Sequence, residues 1–167
     1  MYPIKAKYKF TGFTLPVAAN FLFGILTWTV FSNSDLSDPE TWRDGTSRFL
    51  LIFTGGMQIL LLFLFMTQCR FIIITETSVR FINPLLPFLV SKYDWADFDY
   101  CKSVEEYSRY QSHEAIWFIK DGKLRQRISS FYYSNYGALK RHIKTPYKGR
   151  LKMGPFKQMY CMLGGPI

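Results

Sequence analysis

The segment "FLLIFTGGMQILLLFLFMTQC", Phe49–Cys69, runs for 21 residues without an acidic or basic side chain and is bracketed by Arg48 and Arg70. Crossing the hydrocarbon core of a bilayer takes about 20 predominantly apolar residues in a helix, which satisfies its own backbone polar groups. This stretch meets that requirement. The earlier run "FTGFTLPVAANFLFGILTWTVFSNS", Phe10–Ser34, is also uncharged, although Pro16 and Asn20 interrupt it. A secretory signal peptide is the competing reading of this run. Against it, the run outlasts an ordinary h-region and no small-x-small cleavage site closes it. The chain is therefore read as an N-terminal tail and two-helix transmembrane hairpin over residues 1–69, with spans at about 11–32 and 49–69.

Charge placement gives an orientation. The N-terminal tail has Lys5, Lys7 and Lys9 and no acid, and from Arg70 onward there are 16 Lys/Arg against 8 Asp/Glu. The connecting loop instead has Asp35, Asp38, Glu40 and Asp44 against Arg43 and Arg48. Lys and Arg near span ends mark the cytoplasmic side. Both termini are expected in the cytoplasm, with the short acidic loop outside, in a multi-pass protein of the inner (plasma) membrane. Trp28 and Trp42 stand near the two ends of that loop, as interfacial anchors do.

Counting inward from the cytoplasmic charges matches the helices in depth. Asn20 is 11 residues from Lys9 and Gln58 is 12 from Arg70, while Gly24 and Gly55 are each 15 residues in. Asn20 and Gly24 share a helix face, as do Gly55 and Gln58. A buried amide in hydrocarbon needs a partner and glycines let backbones approach. The preferred reading zips Asn20 to Gln58 within the hairpin; the alternative points each amide at another subunit.

After Arg70 the period changes. "RFIIIT" and "SVRFIN" are two β-rich runs around "ET", "FLVSKYDW" is a third, and "FDYCKSVEEYSRY" continues into a fourth. "EAIWFIK" and "KLRQRIS" flank Asp121-Gly122, a strong hairpin signal. In "SNYGALKRHIK", Ser134 or Asn135 serves as N-cap, and Tyr136, Leu139 and Ile143 fall on one helical face. Six or so strands closed by one helix make a small barrel or sandwich with a helical plug. No internal repeat is present.

Residues 70–145 resemble a bacterial pleckstrin-homology domain of the small kind tethered behind a pair of membrane helices. The likeness rests on "FIIITETSVRFINP", "YDWADF" and "IWFIKDGKLRQRISSFYYSNYGALKRHI". It is one of layout. It implies a membrane α-hairpin plus a mainly-β (α+β) domain, a strongly bent antiparallel sheet of seven strands capped by a C-terminal helix. It implies no reaction, because this superfold is a binding scaffold. Phosphoinositide readers of the wider superfamily use a basic loop between the first two strands; here that loop is "TETS", with Glu76 and no cation.

The residues offer little chemistry. His113 and His142 read as surface residues, and Cys69, Cys101 and Cys161 lack zinc spacing and read as free thiols. No phosphate loop or nucleophile elbow occurs. Asp94, Asp97 and Asp99 read as a solvated acidic edge, with 97 and 99 sharing a face if the segment is a strand. The expectation is a protein that is not an enzyme and takes no metal or cofactor.

The tail, residues 146–167, holds the remaining signal. "KRHIKTPYKGRLKMGPFKQMY" carries Lys140, Arg141, Lys144, Lys148, Arg150, Lys152 and Lys157 with no acid. These residues are the candidate contacts to anionic lipid or to a protein partner; a nucleic-acid patch is the less favoured reading, and a solvated face with simple positive-inside bias explains them equally. Pro146, Gly149, Gly154, Pro155, Gly164, Gly165 and Pro166 argue for an arm that is disordered or docks on a partner.

With no linker between Cys69 and the first strand, the domain is expected to be held in one orientation at the headgroups. That suits a non-catalytic scaffold or assembly subunit that binds a protein partner or itself as a homo-oligomer. An anionic-lipid or envelope-stress sensing module is the alternative, and a channel or transporter accessory is a third. Topology tests the frame: a reporter fused after Ile167 should be active in the cytoplasm, and a cysteine at Ser37 should label from outside. Periplasmic activity of the fusion would overturn the orientation.

Overall fold

A computed structural model describes residues 3–35, 37–107 and 112–167, and it divides into two units. One is Phe13–Arg70; the other joins the N-terminal residues up to Gly12 to Phe71–Ile167.

The first unit is helical. Helix α1 (Phe10–Ser32) passes into it from the first residues of the chain, and α2 (Pro39–Arg43) and α3 (Gly45–Gln68) follow. Among the described residues, α1 and α3 are by length and composition the two helices able to cross a membrane. The acids of the loop between them shape its turns. Asp38 caps α2, accepting from the Glu40 N–H at 3.0 Å, with Pro39 in the first helical turn. Asp44 caps α3, accepting from the Ser47 N–H at 2.8 Å and the Ser47 hydroxyl at 2.6 Å. The Ser47 bonds hold the Asp44 carboxyl below its ordinary range, as those from Ser37 do for Asp35.

The second unit is a pair of four-stranded sheets. The first contains β1 (Ile4–Lys5), β2 (Phe71–Ile74), β3 (Ser78–Ile82) and β4 (Val90–Asp94), in that order and all antiparallel. The second contains β5 (Tyr100–Tyr107), β6 (Ser112–Lys120), β7 (Lys123–Ser129) and β8 (Tyr147–Leu151) in the order β7-β6-β5-β8, with β8 parallel to β5. The end of the run "FDYCKSVEEYSRY", from Ser108, lies outside the described residues. Among the described residues the unit also has a 3-10 turn (Trp95–Asp97) and two short α-helices, α4 (Tyr136–Arg141) and α5 (Pro155–Met162).

Period-two alternation sets the main core. Ile72 and Ile74 of β2, Val79 and Phe81 of β3, and Ile116, Phe118 and Ile128 of the second sheet point inward, joined by Trp95, Phe98 and Leu139. The rings of Phe98 and Phe118 lie 4.9 Å apart and tilted. Strand β6 is buried on both faces, which is why "AIWFI" is continuously apolar. Its other face, with Ala115 and Trp117 beside Val104, packs against Cys161, Leu151, Met153 and Ile167.

That second cluster corrects the reading of the tail. Residues 146–167 are a continuation of the fold: β8 adds to the sheet and α5 covers the outer side of β5 and β6. Gly149 and Gly164 have φ of 74° and 97°, a conformation that L side chains resist; Gly149 serves the irregularity where β8 shifts register against β5, and Gly164 the turn after α5. The chain end is fastened by the Ile167 N–H, which donates to Gly122 O at 3.0 Å.

The N-terminal tail also belongs to the sheet. Ile4 and Lys5 pair with Ile74 and Ile73, while Ile4, Ala6 and Tyr8 pack on the main core. The Asn135 side chain, expected to cap α4, makes no capping bond. It accepts from the Lys7 N–H at 2.8 Å and donates to Lys5 O at 2.9 Å instead. The expected hairpin at Asp121-Gly122 is present, and both residues have positive φ, 53° and 68°, as a type I′ turn requires.

Gly12, buried in the first turn of α1, lies closest among the described glycines to neighbouring backbone. A Cβ there would lie 2.7 Å from Phe131 O and 3.0 Å from Tyr132 Cα, both backbone atoms that cannot swing away. Gly24, by contrast, has nothing within 4 Å of a built Cβ. Gly12→Ala should therefore destabilise the protein by about 1–3 kcal/mol, the usual cost of overpacking, whereas Gly24→Ala should be neutral or mildly stabilising. Thermal unfolding in detergent, followed by near-UV circular dichroism, separates the two.

Candidate functional site

The seven tail-region cations lie on several elements of this fold, from α4 through β8 to α5. Lys140 is an internal partner: its Nζ donates to Glu114 Oε1 at 2.6 Å. Arg141 and Lys144, with His142, line a shallow pocket completed by Ile4, Ile74, Thr75 and Glu76. Lys148 sits over the Tyr100 ring, 4.4 Å from its centroid. Arg150 faces Glu105, Ser112 and Glu114 in a separate pocket on the second sheet. Lys152 and Lys157 are exposed, just before and within α5.

Glu114 is the centre of a half-buried polar cluster. Besides Lys140, it accepts from Ser103 Oγ at 2.7 Å, and the Tyr147 hydroxyl bonds Ser103 Oγ at 3.1 Å. Burial opposes its ionisation, but the bonds from Lys140 and Ser103 and the charges of Lys140 and Arg150 outweigh it. Its carboxyl is held below the ordinary range. The neighbouring Tyr136 hydroxyl is buried without a hydrogen bond of acceptable geometry. Burial and the Glu114 charge push its pKa upward, so it stays protonated. On the opposite face of the sheet Glu106 pairs with Arg127 and accepts from Ser129 Oγ at 2.7 Å.

The remaining sequence candidates take structural roles. Asp97 lies in a 3-10 turn (Trp95–Asp97), not on a strand, and its carboxylate accepts from the Asp94 N–H at 2.7 Å. Asp99 accepts from the Asp121 N–H at 2.8 Å, bracing the β6–β7 turn. His142 Nδ1 meets Ala138 O at 2.9 Å, and the His113 ring packs edge-on to Phe131. Cys69, Cys101 and Cys161 are free and buried, and burial raises the Cys101 thiol pKa. Among the described residues no group of His, Cys, Asp and Glu is placed to hold a metal ion.

In the helical unit Asn20 and Gln58 do not bond to each other. Asn20 Nδ2 donates to Pro16 O at 2.9 Å and across the hairpin to Leu61 O at 3.4 Å, while Asn20 Oδ1 and Gln58 Oε1 are buried without a partner. Thr27 Oγ1 reaches Thr54 O at 3.3 Å. These two crossings set Asn20 level with Leu61, about one helical turn from the position expected by counting. Nor do Gly24 and Gly55 meet: a Cβ at Gly55 would touch the Phe31 ring at 3.5 Å.

A feature not singled out in the sequence is apolar surface on the sheet unit. In the turn between β3 and β4, Asn83 Oδ1 accepts from the Leu85 and Leu86 N–H groups at 2.9 and 3.1 Å. That closed turn leaves Leu85, Phe88, Leu89 and Val90 exposed by 45–76%. The available signal was "NPLLPFLV", eight uncharged residues in a turn, where polar side chains are the norm. The outer face of α5 is the second such surface, with Phe156, Met159, Tyr160 and Leu163 exposed.

Comparison with family models, curated proteins and solved structures found nothing that matches this chain.

Because the two amides are not bonded to each other, Asn20→Leu and Gln58→Leu should be additive to within about 0.5 kcal/mol in a double-mutant cycle. Asn20→Leu alone should change hairpin stability by only about 0.6 kcal/mol, the mean for interhelical bonds in lipid. Steric trapping in bicelles measures both; a coupling well above that limit would restore a direct Asn20–Gln58 bond.

Proposed function

We propose that the chain is a non-catalytic, membrane-anchored scaffold or assembly subunit that presents a pleckstrin-homology-like domain at the cytoplasmic face for protein binding or self-association. The observation that carries this reading is the edge at β4. It is the last strand of its sheet, and the exposed Leu85, Phe88, Leu89 and Val90 lead directly into it. An edge strand beside an apolar patch is a template for an added strand, in which backbone groups give affinity and side-chain pockets give selectivity.

The layout supports the domain assignment. Strands β2–β3–β4, then β5–β6–β7, then helix α4 resemble that layout with six strands where it implies seven; β1, β8 and α5 lie outside it. The non-catalytic reading draws on how the polar side chains are used. Glu106, Glu114, Asp97 and Asp99 are each tied to a turn, a strand neighbour or a cation.

The test is to purify the full chain in mild detergent and determine its mass by light scattering, beside a Phe88→Glu/Leu89→Asp variant. A defined oligomer or larger complex is expected for the native protein, and its loss in a variant that keeps the native near-UV spectrum. A native chain that runs as a lone monomer, or a variant that keeps the complex intact, would contradict the reading.

A further inference from the structure

Helix α5 is amphipathic in the reverse sense. Phe156, Met159, Tyr160 and Leu163 recur at i, i+3, i+4 and i+7, which places them on one helical face, yet they are 83%, 53%, 56% and 73% exposed. The buried positions are Gln158 and Cys161. This orientation is pinned. Gln158 Nε2 donates to Glu105 O at 2.8 Å and to Met153 O at 2.9 Å, and the thiol of Cys161 bonds Pro166 O at 3.4 Å. Pro166 in turn bridges to Lys123. A helix free to roll would turn its apolar stripe onto the Trp117 face of the sheet. These bonds hold it outward.

The stretch of sequence that carries the stripe has charges of one sign. Asp121 is the last acidic residue of the chain. Among the cations beyond it, Arg125, Arg127 and Lys140 are paired with Asp121, Glu106 and Glu114. Lys152 and Lys157, which flank the stripe, form no ion pair among the described residues. A surface that presents Phe, Met, Tyr and Leu together with unpaired lysines is complementary to a partner that is anionic at its surface and apolar just beneath. An anionic lipid leaflet has that composition, and interfacial helices bind it through the same combination. The chain also joins this unit directly to two helices long enough to cross a bilayer, which keeps a leaflet at high effective concentration.

We propose that the outer face of α5 is a bilayer-contacting surface: Phe156, Met159, Tyr160 and Leu163 enter the headgroup–acyl boundary of an anionic leaflet, with Lys152 and Lys157 on its phosphates. The inference rests on the membrane anchoring of α1 and α3 and is independent of the partner surface at β4.

Collision-based depth measurement tests it on the full chain in nanodiscs of phosphatidylcholine, with and without phosphatidylglycerol. A nitroxide is attached at Phe156→Cys or Leu163→Cys; the native thiols are buried, so labelling of the native chain supplies the background. In anionic discs, both labels should collide preferentially with oxygen over a water-soluble nickel chelate, whereas a label at Ser37→Cys should show the opposite preference. Lys152→Glu/Lys157→Glu should shift the Phe156→Cys label toward nickel. A nickel preference at 156 in anionic discs overturns the proposal. So does a label shielded from both colliders, which would mean that protein, a second copy included, covers the face. A label at Phe53→Cys separates the two levels. Oxygen preference there leaves the anchoring intact whatever α5 does, and nickel preference there removes the anchoring itself.

Discussion

The pairing of β1 with β2 is the constraint on which the rest depends. Ile4 and Lys5 sit opposite Ile74 and Ile73, and the ladder continues through the Ala6 N–H to Ile72 O at 2.8 Å. Beyond it, Lys7 is bracketed by Ser134 and Asn135, and the Lys9 N–H donates to Tyr132 O at 2.7 Å. Tyr8 packs edge-on to Phe71 at 5.1 Å. Everything between residues 10 and 70 is therefore an insertion between two neighbouring strands. Each such bond contributes only about 0.5–1.5 kcal/mol net, but together they close the chain across a long separation. If α1 and α3 cross a membrane, this closure requires residues 3–9 and 71–167 to share one side of it, by an argument that owes nothing to charge.

The same closure explains why the sheet unit spends its polar side chains internally. The second sheet is covered on both faces: the main core and α4 lie on one side, and β6 meets α5 and the chain end on the other. Polar groups that the strands carry inward must find partners there. Glu114 finds Lys140 and Ser103, Glu106 finds Arg127 and Ser129, and Gln158 finds two carbonyls. Beside its exposed charges the unit keeps two apolar surfaces, at the β3–β4 turn and along α5.

Much of this was legible in the sequence. The two long apolar helices, the strands β2 to β7 and the Asp121-Gly122 turn follow from charge-free length, from alternation and from turn chemistry. Two segments were misread for identifiable reasons. "IKAKYK" carries the alternation of a strand, but its three lysines also satisfy the positive-inside pattern, and the charge signal masked the periodic one. The tail's glycines and prolines resembled the composition of an arm. Composition does not distinguish a disordered segment from one whose glycines take positive φ in a strand irregularity and a turn, as Gly149 and Gly164 do. The basic residues, adjacent in sequence, are distributed over the end of α4, the edge strand β8 and α5, which sequence adjacency alone does not show. The exposed stripe of α5 was unreadable without knowing which face Gln158 and Cys161 hold down.

Amide hydrogen exchange on the full chain in detergent tests the closure most directly. The Ala6 and Lys9 amides, both bonded to backbone carbonyls of the sheet unit, should be protected to about the same degree as those of β2 and β3, and should open with them. Exchange of residues 3–9 at the rate of a free tail, beside a protected β2–β3 pair, would contradict the account.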